Sequence, residues 1–209
     1  MECMQLHKKI YGVIKHNTQL FACNLFDEIT IKKVEKKKIQ IILQGEFSKG
    51  IPNNEENIIF KTVDTFFQTH HKSFGVEITV TKNIPQGTGL QEEEQMIEFV
   101  LQFLHAQYSE TFTSQFENIV QNKNFEIITF PEYKIRPDWI TSISDFLSLP
   151  ENTEKKQNLL NYSPLFSLHQ NIIFSYYPDI YKKYLEYKEL PHCQNVELIE
   201  NGSALYIFS

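Results

Sequence analysis

Residues 84–94 combine the residue types and the spacing that most directly indicate chemistry. They read Ile-Pro-Gln-Gly-Thr-Gly-Leu-Gln-Glu-Glu-Glu, after a strand-like run and before a helical pattern. In a loop of this kind, glycines let the backbone approach a phosphate, and amides at the start of the helix bind its oxygens. Glu92, Glu93 and Glu94 occupy positions where such a loop needs small residues. The segment therefore predicts a phosphate-binding loop whose phosphate position is filled by negative charge.

The elements that must position this loop alternate between strand and helix patterns. Period-two alternation predicts strands over residues 9–14, 20–33 and 76–81. We expect residues 38–43 to return antiparallel along residues 20–33, closing a hairpin across a lysine-rich turn. Asn54 is expected to cap the helix that follows it, because a side-chain oxygen at that position accepts from the first free amides.

Two helices are predicted from apolar residues that recur three and four positions apart. The apolar face of the first helix consists of Ile59, Val63, Phe66, Phe67 and His70. The second helix begins at the three glutamates. Its expected apolar face consists of Ile97, Val100, Leu101, Leu104 and Tyr108.

The rest of the chain predicts a second group of strands and helices. Residues 125–130 form a β-rich run, residues 151–157 are polar and typical of a loop or a frayed turn, and Pro178 suits the first turn of a helix. Two short apolar runs flank Asn201-Gly202, which is a strong hairpin signal. No internal repeat is visible, and this mixed order of elements indicates the α+β class.

Composition and charge argue against several kinds of partner. The net charge of −6 over 209 residues is opposite in sign to the basic face that nucleic-acid binding requires. The lysines within residues 32–38 are expected to form a solvated strand edge and turn, with an anionic partner as the alternative. No apolar run approaches the length of a membrane span, and the first residues lack the pattern of a signal peptide. We therefore expect neither nucleic acid nor membrane as a partner.

Cysteine and histidine usage points to reduced thiols and to no metal. Cys3, Cys23 and Cys193 are odd in number and far apart, which favours a cytoplasmic location. His70 and His71 follow an apolar helical face, but no carboxylate or cysteine lies near them at metal-ligand spacing. The sequence therefore predicts no metal site.

Several segments, in the same order along the chain, resemble the GHMP kinases. Among these they are most similar to the 4-diphosphocytidyl-2-C-methyl-D-erythritol kinases of the non-mevalonate isoprenoid pathway. Residues 80–90, Val-Thr-Lys-Asn-Ile-Pro-Gln-Gly-Thr-Gly-Leu, resemble that family's itKrIPvgaGL. Residues 25–31, Leu-Phe-Asp-Glu-Ile-Thr-Ile, resemble its lyDeItI strand. Further matches lie at residues 9–10, 55–59, 172–180 and 202–206.

The resemblance implies a fold, a cofactor and a set of site residues. The fold would be a GHMP-kinase-like pair of lobes, with residues 1–124 as the N-terminal lobe and residues 125–209 as a shortened C-terminal lobe. Active members transfer phosphate from Mg-ATP to an alcohol. The remnants of their phosphate loops would be Pro85, Gly87, Thr88, Gly89, Leu90, Gly202 and Ser203.

Two catalytic positions of the family find only partial matches here. Lys9 matches the family's lysine near the start of the chain, with an ordinary surface lysine as the alternative reading. Glu126 is the nearest match to the family's catalytic aspartate, with a deletion of that segment as the alternative.

The strongest departure from the family falls on the phosphate loop itself. Where the family continues Gly-Leu with Gly-Gly-Gly-Ser-Ser, this chain has Gln-Glu-Glu-Glu-Gln at residues 91–95. A carboxylate ~5 Å from a phosphate charge costs roughly 3 kcal/mol at an effective dielectric of ~20. The same carboxylates suit the positive end of a helix dipole, so an ordinary acidic helix start also explains them.

Three hypotheses about function follow. The first is a GHMP-kinase-fold protein without kinase activity, a pseudokinase that needs no cofactor and acts as a binding or regulatory module. Its partner would be another protein or a second copy of itself. The second is a divergent kinase that uses Mg-ATP to phosphorylate a small alcohol, in isoprenoid precursor synthesis by resemblance. The third is an unrelated α+β module with coincidental matches.

Overall fold

The chain separates into two units, Met1–Ile84 with Gln91–Gln121, and Pro85–Leu90 with Asn122–Ser209. The structure is a computed structural model. It describes residues 5–16, 19–116, 118–121, 125–133, 142–143, 145–147, 149–155, 168–199 and 204–208. The identification of residues 1–124 and 125–209 as two kinase lobes stays a prediction.

The first unit is built on a five-stranded sheet. Its strands, in chain order, are β1 (Gln5–His16), β2 (Gln19–Val34), β3 (Ile39–Gln44), β4 (Gly75–Thr81) and β5 (Ile119–Gln121). Their spatial order is β1-β2-β4-β3, and β5 pairs with the start of β2. The strands predicted over residues 9–14, 20–33 and 76–81 are thereby confirmed.

Two helices, α1 (Ile58–His70) and α2 (Glu92–Gln107), pack with one face of this sheet. Along β2 and β4, the residues that alternate toward the core are apolar and buried. They are Ile29, Ile31, Val76, Ile78 and Val80. Residues between them are polar, and Lys32 faces Glu77 across the two strands at 2.6 Å. This alternation fixes the register, because a slip of one residue would bury the charged face.

The predicted hairpin between residues 20–33 and 38–43 is wrong. Strand β3 pairs in parallel with β4, and β4 pairs antiparallel with β2, so β4 lies between the two. A parallel pair needs a crossover connection, which α1 supplies between β3 and β4. Glycine is required at residue 75, the first of β4, where it lies opposite the end of β2, since a Cβ there would lie 2.0 Å from the carbonyl oxygen of Lys36.

The predicted cap of α1 is also wrong. Asn57, rather than Asn54, occupies the N-cap, and its side chain accepts from the Ile59 amide at 2.8 Å. Asn54 instead accepts from the Glu56 amide at 3.0 Å in the turn that precedes the helix. The helix therefore begins one turn later than the position of Asn54 predicts.

The apolar face of α1 is as predicted, and that of α2 differs. Ile59, Val63, Phe66 and Phe67 are buried. In α2 the buried apolar residues are Met96, Phe99, Val100, Phe103 and Leu104. The expected residues Ile97, Leu101 and Tyr108 are only partly buried. The face of α2 that packs in the core includes Met96, Phe99 and Phe103 in their place.

The second unit contains a three-stranded antiparallel sheet of β6 (Phe125–Thr129), β7 (Asn195–Leu198) and β8 (Ala204–Phe208), in the order β6-β8-β7. Two helices, α3 (Leu168–Tyr176) and α4 (Pro178–Lys188), contribute to its core. A short 3-10 turn spans Pro150–Asn152. The predicted strand at residues 125–130, the helix starting at Pro178 and the pairing of the last two strands are confirmed. The turn at Asn201-Gly202 lies outside the described residues.

Membrane crossing requires a helix of sufficient length and hydrophobicity. Within the described ranges no helix satisfies both conditions.

Replacing Asn57 with alanine should lower the free energy of unfolding by about 1 to 2 kcal/mol. Its side chain is nearly buried, caps Ile59 and donates to the Pro52 carbonyl at 2.7 Å, so the truncation leaves two groups without partners. Asn54→Ala is the matched control and should cost less than half as much, because Asn54 is exposed. Urea denaturation of both variants measures the difference, and equal losses would contradict the assignment of Asn57 as the cap.

Candidate functional site

Asp27 is a fully buried carboxylate in the middle of β2. One of its oxygens accepts hydrogen bonds from the backbone amides of Asn83 at 2.6 Å and Ile84 at 2.8 Å. The other forms an ion pair with the Lys82 ammonium group. Asp27 therefore binds the segment that leaves β4 at the point where the candidate phosphate loop begins.

Lys82 is fixed from two directions. Its amide donates to the Gln44 carbonyl at 2.8 Å, and its own carbonyl accepts from the Phe47 amide at 3.2 Å. Gly45 permits this approach, because a Cβ there would lie 2.5 Å from the Lys82 carbonyl oxygen and its φ is +96°. The ammonium group of the Lys82 side chain lies between the carboxylates of Asp27 and Glu92.

The three glutamates at the start of α2 differ in their surroundings. Glu92 is buried, and its Oε1 lies 3.3 Å from Lys82 Nζ. Glu93 and Glu94 are exposed to solvent. Only Glu92 therefore places its charge inside the first unit, where it also faces the positive end of the helix dipole.

The three ionisable groups share one positive charge between two carboxylates. Burial by itself lowers the pKa of Lys82, but the nearby Glu92 and Asp27 outweigh it and raise that pKa. Burial raises the pKa of Glu92, and the attraction of Lys82 offsets this only in part. Asp27 accepts from three donors, whereas Lys82 is the side chain that contacts Glu92.

The backbone of the loop keeps an alternating left-handed geometry. Gly87, Gly89 and Gln91 have φ values of 75°, 77° and 56°. Glycine adopts such values without strain, whereas a residue with a side chain rarely does. Gln91 also lacks a side-chain capping hydrogen bond to α2. The conformation suited to glycine is thus present at residue 91 although the glycine is not.

The predicted loop residues differ in exposure. Pro85, Thr88 and Leu90 are buried, and Gly87 and Gly89 are partly buried. The Thr88 hydroxyl oxygen is buried without a hydrogen-bond partner among the described residues. Gly202 and Ser203, the second predicted remnant, lie outside the described residues.

Lys9 and Glu126, the predicted catalytic pair, are both exposed. The Lys9 ammonium lies 4.1 Å from the centre of the Phe26 ring, a cation–π contact. Lys9 also lines a cavity of about 170 Å³ in the first unit, with Tyr11 and Gln95 among its other residues. This is smaller than the roughly 300–1,000 Å³ of typical small-molecule pockets. Glu126 lies on β6 in the second unit.

A side chain of α2 forms a hydrogen bond to β1 at a bulge. The register between β1 and β2 shifts between Tyr11 and Val13. The Gln95 side chain donates to the Tyr11 carbonyl at 2.8 Å and to the Gln91 carbonyl at 3.2 Å. Gln95, which replaces a serine of the family pattern, therefore has a structural role in this chain.

The residues at the start of α2 do not fit a triphosphate. A phosphate bound there would meet the buried Glu92 carboxylate. The lysine beside it, Lys82, is already neutralised by Glu92 and Asp27. Cys23 is not a candidate nucleophile, because burial raises the pKa of its thiol to about 11 and keeps the thiol protonated.

Sequence reasoning did not assign roles to Asp27 or Lys82, although both stand in segments that carry the resemblance. The available signal was a charged residue at a position that alternates with the buried Ile29 and Ile31. Their pairing is not visible from the sequence, since 55 positions separate them.

Asp27→Asn should lower the free energy of unfolding by about 3 to 5 kcal/mol, because it breaks a buried ion pair and leaves Lys82 poorly compensated. The amides of Asn83 and Ile84 would also lose their charged acceptor. Glu28→Gln, one residue further along β2 and only partly buried, is the control and should change stability by less than 1 kcal/mol. Denaturant unfolding tests this, and a small loss for Asp27→Asn would refute the central role of this carboxylate.

Glu92→Gln should become relatively more stabilising as the pH rises from 4 to 7. The native pKa of Glu92 lies above its ordinary value of 4.5. The contribution of Glu92 to the free energy of unfolding is therefore fully present below its ordinary pKa of 4.5 and is lost as the pH rises through the higher native pKa. Glutamine stays neutral and avoids this loss, while Lys82 keeps Asp27 as a partner. The test is the difference in unfolding free energy between variant and wild type across this range, and a difference that falls with pH would contradict it.

Comparison with known proteins gives a partial sequence match and a full-length structural match. No family model matches the chain. It is 27% identical over 85 residues to 4-diphosphocytidyl-2-C-methyl-D-erythritol kinase of Macrococcus caseolyticus, covering 41% of this chain and 29% of that protein. It is 39% identical over 67 residues to the Clostridium botulinum kinase of the same name, covering 32% and 22% respectively. The matches thus span less than a third of these relatives' length.

Solved structures cover nearly the whole chain at low sequence identity. A 4-(cytidine 5'-diphospho)-2C-methyl-D-erythritol kinase superposes with a TM-score of 0.60 at 14% identity, over 98% of this chain and 90% of that one. Homoserine kinase from Cytophaga hutchinsonii gives 0.59 at 13% identity, over 98% and 85%. Mevalonate kinase from Methanococcus jannaschii gives 0.55 at 11% identity, over 99% and 90%.

These comparisons confirm the predicted resemblance and the α+β class, and they argue against the hypothesis of coincidental matches. The chain has the fold of the GHMP kinases, and over about a third of its length its sequence resembles 4-diphosphocytidyl-2-C-methyl-D-erythritol kinase.

Proposed function

We propose that this protein is a GHMP-kinase-fold protein without kinase activity, which acts as a binding or regulatory module in the cytoplasm. It needs no nucleotide cofactor, and its partner is another protein or a second copy of the chain. The observation that carries the proposal is the buried Glu92 carboxylate at the start of α2, paired with Lys82.

The proposal follows from the charge at the position where the family pattern that this sequence resembles has small residues. A phosphate charge about 5 Å from Glu92 is repelled by about 3 kcal/mol at an effective dielectric of about 20. That repulsion corresponds to a loss of about 100-fold in affinity. Lys82 gives little compensation, because two carboxylates already share its charge. The exposed Glu93 and Glu94 add a weaker, solvent-screened repulsion.

The alternative is a divergent kinase that uses Mg-ATP to phosphorylate an alcohol, with a place in isoprenoid precursor synthesis. One observation favours it: the left-handed backbone at Gly87, Gly89 and Gln91 keeps the geometry that brings a loop close to a ligand. Under this alternative, Glu92 would have to be protonated or displaced when the nucleotide binds.

Calorimetric titration of the full chain with Mg-ATP should show no heat of binding up to millimolar nucleotide. The physical reason is the net negative charge at the start of α2, where Glu92 and Asp27 share one lysine. Binding in the micromolar range would overturn the proposal and favour the kinase alternative.

A reversion variant tests the cause. Changing Gln91, Glu92 and Glu93 to Gly and Glu94 to Ser, with Gln95 retained for its bond to Tyr11, should raise nucleotide affinity by about 100-fold or more. The matched control changes only the exposed Glu93 and Glu94 and should gain less than tenfold. An equal gain in both variants would contradict the role of Glu92.

A further inference from the structure

Three potential metal ligands converge on the first unit, away from the start of α2. His70 is the last residue of α1, His105 lies in the last turn of α2, and Glu110 follows α2 in the chain. Glu110 Oε2 lies 3.3 Å from His70 Nε2 and 2.7 Å from His105 Nδ1. One donor atom from each residue lies within 4.8 Å of the others.

The two imidazoles are held in place by their surroundings. His70 Nδ1 lies 2.9 Å from the Phe66 carbonyl oxygen. The His70 ring stacks on the Phe66 ring at 3.9 Å, and the His105 ring meets Phe66 edge-on at 5.0 Å. A histidine ring whose second nitrogen donates to a backbone carbonyl is the usual arrangement of a metal ligand, because that bond fixes the tautomer and the ring orientation.

The hydrogen bond to Phe66 leaves the other nitrogen of His70 facing the carboxylate. A carbonyl only accepts, so His70 Nδ1 carries a hydrogen, and Nε2 faces Glu110 Oε2 at 3.3 Å. A cation between Nε2 and the carboxylate would bind both groups, and the imidazole of His105 is in position to bind the same ion.

We propose that His70, His105 and Glu110 form a binding site for Zn²⁺. Two imidazole nitrogens and one carboxylate oxygen suit zinc, which takes three protein ligands and a water in an open tetrahedral site. Mg²⁺ prefers oxygen ligands throughout and is excluded as the preferred ion. Coordination places the donor atoms about 3.3 Å from one another. Glu110 Oε2 is already at 3.3 and 2.7 Å from the two imidazole nitrogens, and these nitrogens lie within 4.8 Å of each other and would move together around the ion.

The ion has a route into the site. The side chains of His70, His105 and Glu110 are 21%, 24% and 41% exposed. The two histidines also line a largely apolar groove of about 460 Å³ between α1 and α2, beside Phe66 and Leu101. Bound zinc would join the ends of both helices to the segment after α2, which Glu98 already holds through Ser114 and the Gln115 amide.

The test uses the full chain, freed of metal with a chelator and titrated with ZnCl₂ by calorimetry. We expect one ion per chain with micromolar or tighter affinity, no competition by millimolar Mg²⁺, and visible absorption of a tetrahedral complex when Co²⁺ replaces zinc. Because zinc binds the native state only, a hundredfold excess over Kd should raise the melting temperature by about 5 °C or more.

Variants assign the ligands. His70→Gln and Glu110→Gln should each weaken zinc binding at least tenfold, with metal-free melting temperatures close to that of the wild type. The control variant His192→Gln with Cys193→Ser removes another histidine and a thiol in the second unit, and should bind zinc as the wild type does.

An NMR measurement on the unmodified protein tests the same proposal if the variants fail to fold. Zinc should shift the imidazole resonances of His70 and His105 and leave those of His7 and His192 unchanged. No binding at millimolar zinc, or unchanged affinity in both ligand variants, would overturn the proposal. The three side chains would then form a hydrogen-bonded cluster only.

Discussion

The Asp27 carboxylate is the interaction on which the first unit depends most. It is buried in the centre of the sheet, and its donors are the side chain of Lys82, the first residue after β4, and the next two backbone amides. A buried carboxylate must be compensated by charge or hydrogen bonds. These three donors meet that requirement and hold the exit from β4 against β2. The position at which the loop starts is therefore set by electrostatics as well as by strand pairing.

This constraint also explains the charge at the start of α2. Lys82 is needed by Asp27, so its ammonium group is buried beside the first turn of the helix. A free ammonium group at such a place would attract an anion. Here the Glu92 carboxylate, part of the protein itself, lies 3.3 Å from that group. The same lysine thus joins the sheet to the first turn of the helix.

The sequence predicted the features that depend on neighbouring residues and missed those that depend on distant ones. Alternation located the strands, and the glutamates located the start of α2. The parallel pairing of β3 and β4 was missed because nothing within residues 38–43 distinguishes a hairpin from a crossover partner. The prediction named Asn54 instead of Asn57 as the N-cap of α1 because both asparagines satisfy the same local sequence rule. The cluster of His70, His105 and Glu110 was missed because its members come together only when α1 packs against α2.

The insertion of β4 between β2 and β3 has a consequence for synthesis of the chain. β1 and β2 leave the ribosome together and can pair at once, but one side of β2 waits for β4, about 40 residues later. At translation rates of about 5–20 residues per second, that wait lasts about 2 to 8 seconds. During it, the half of β2 that carries Ile29 and Ile31 lacks its native neighbour. This half of β2 is therefore open to intermolecular pairing in the nascent protein, and early chaperone contact would protect it.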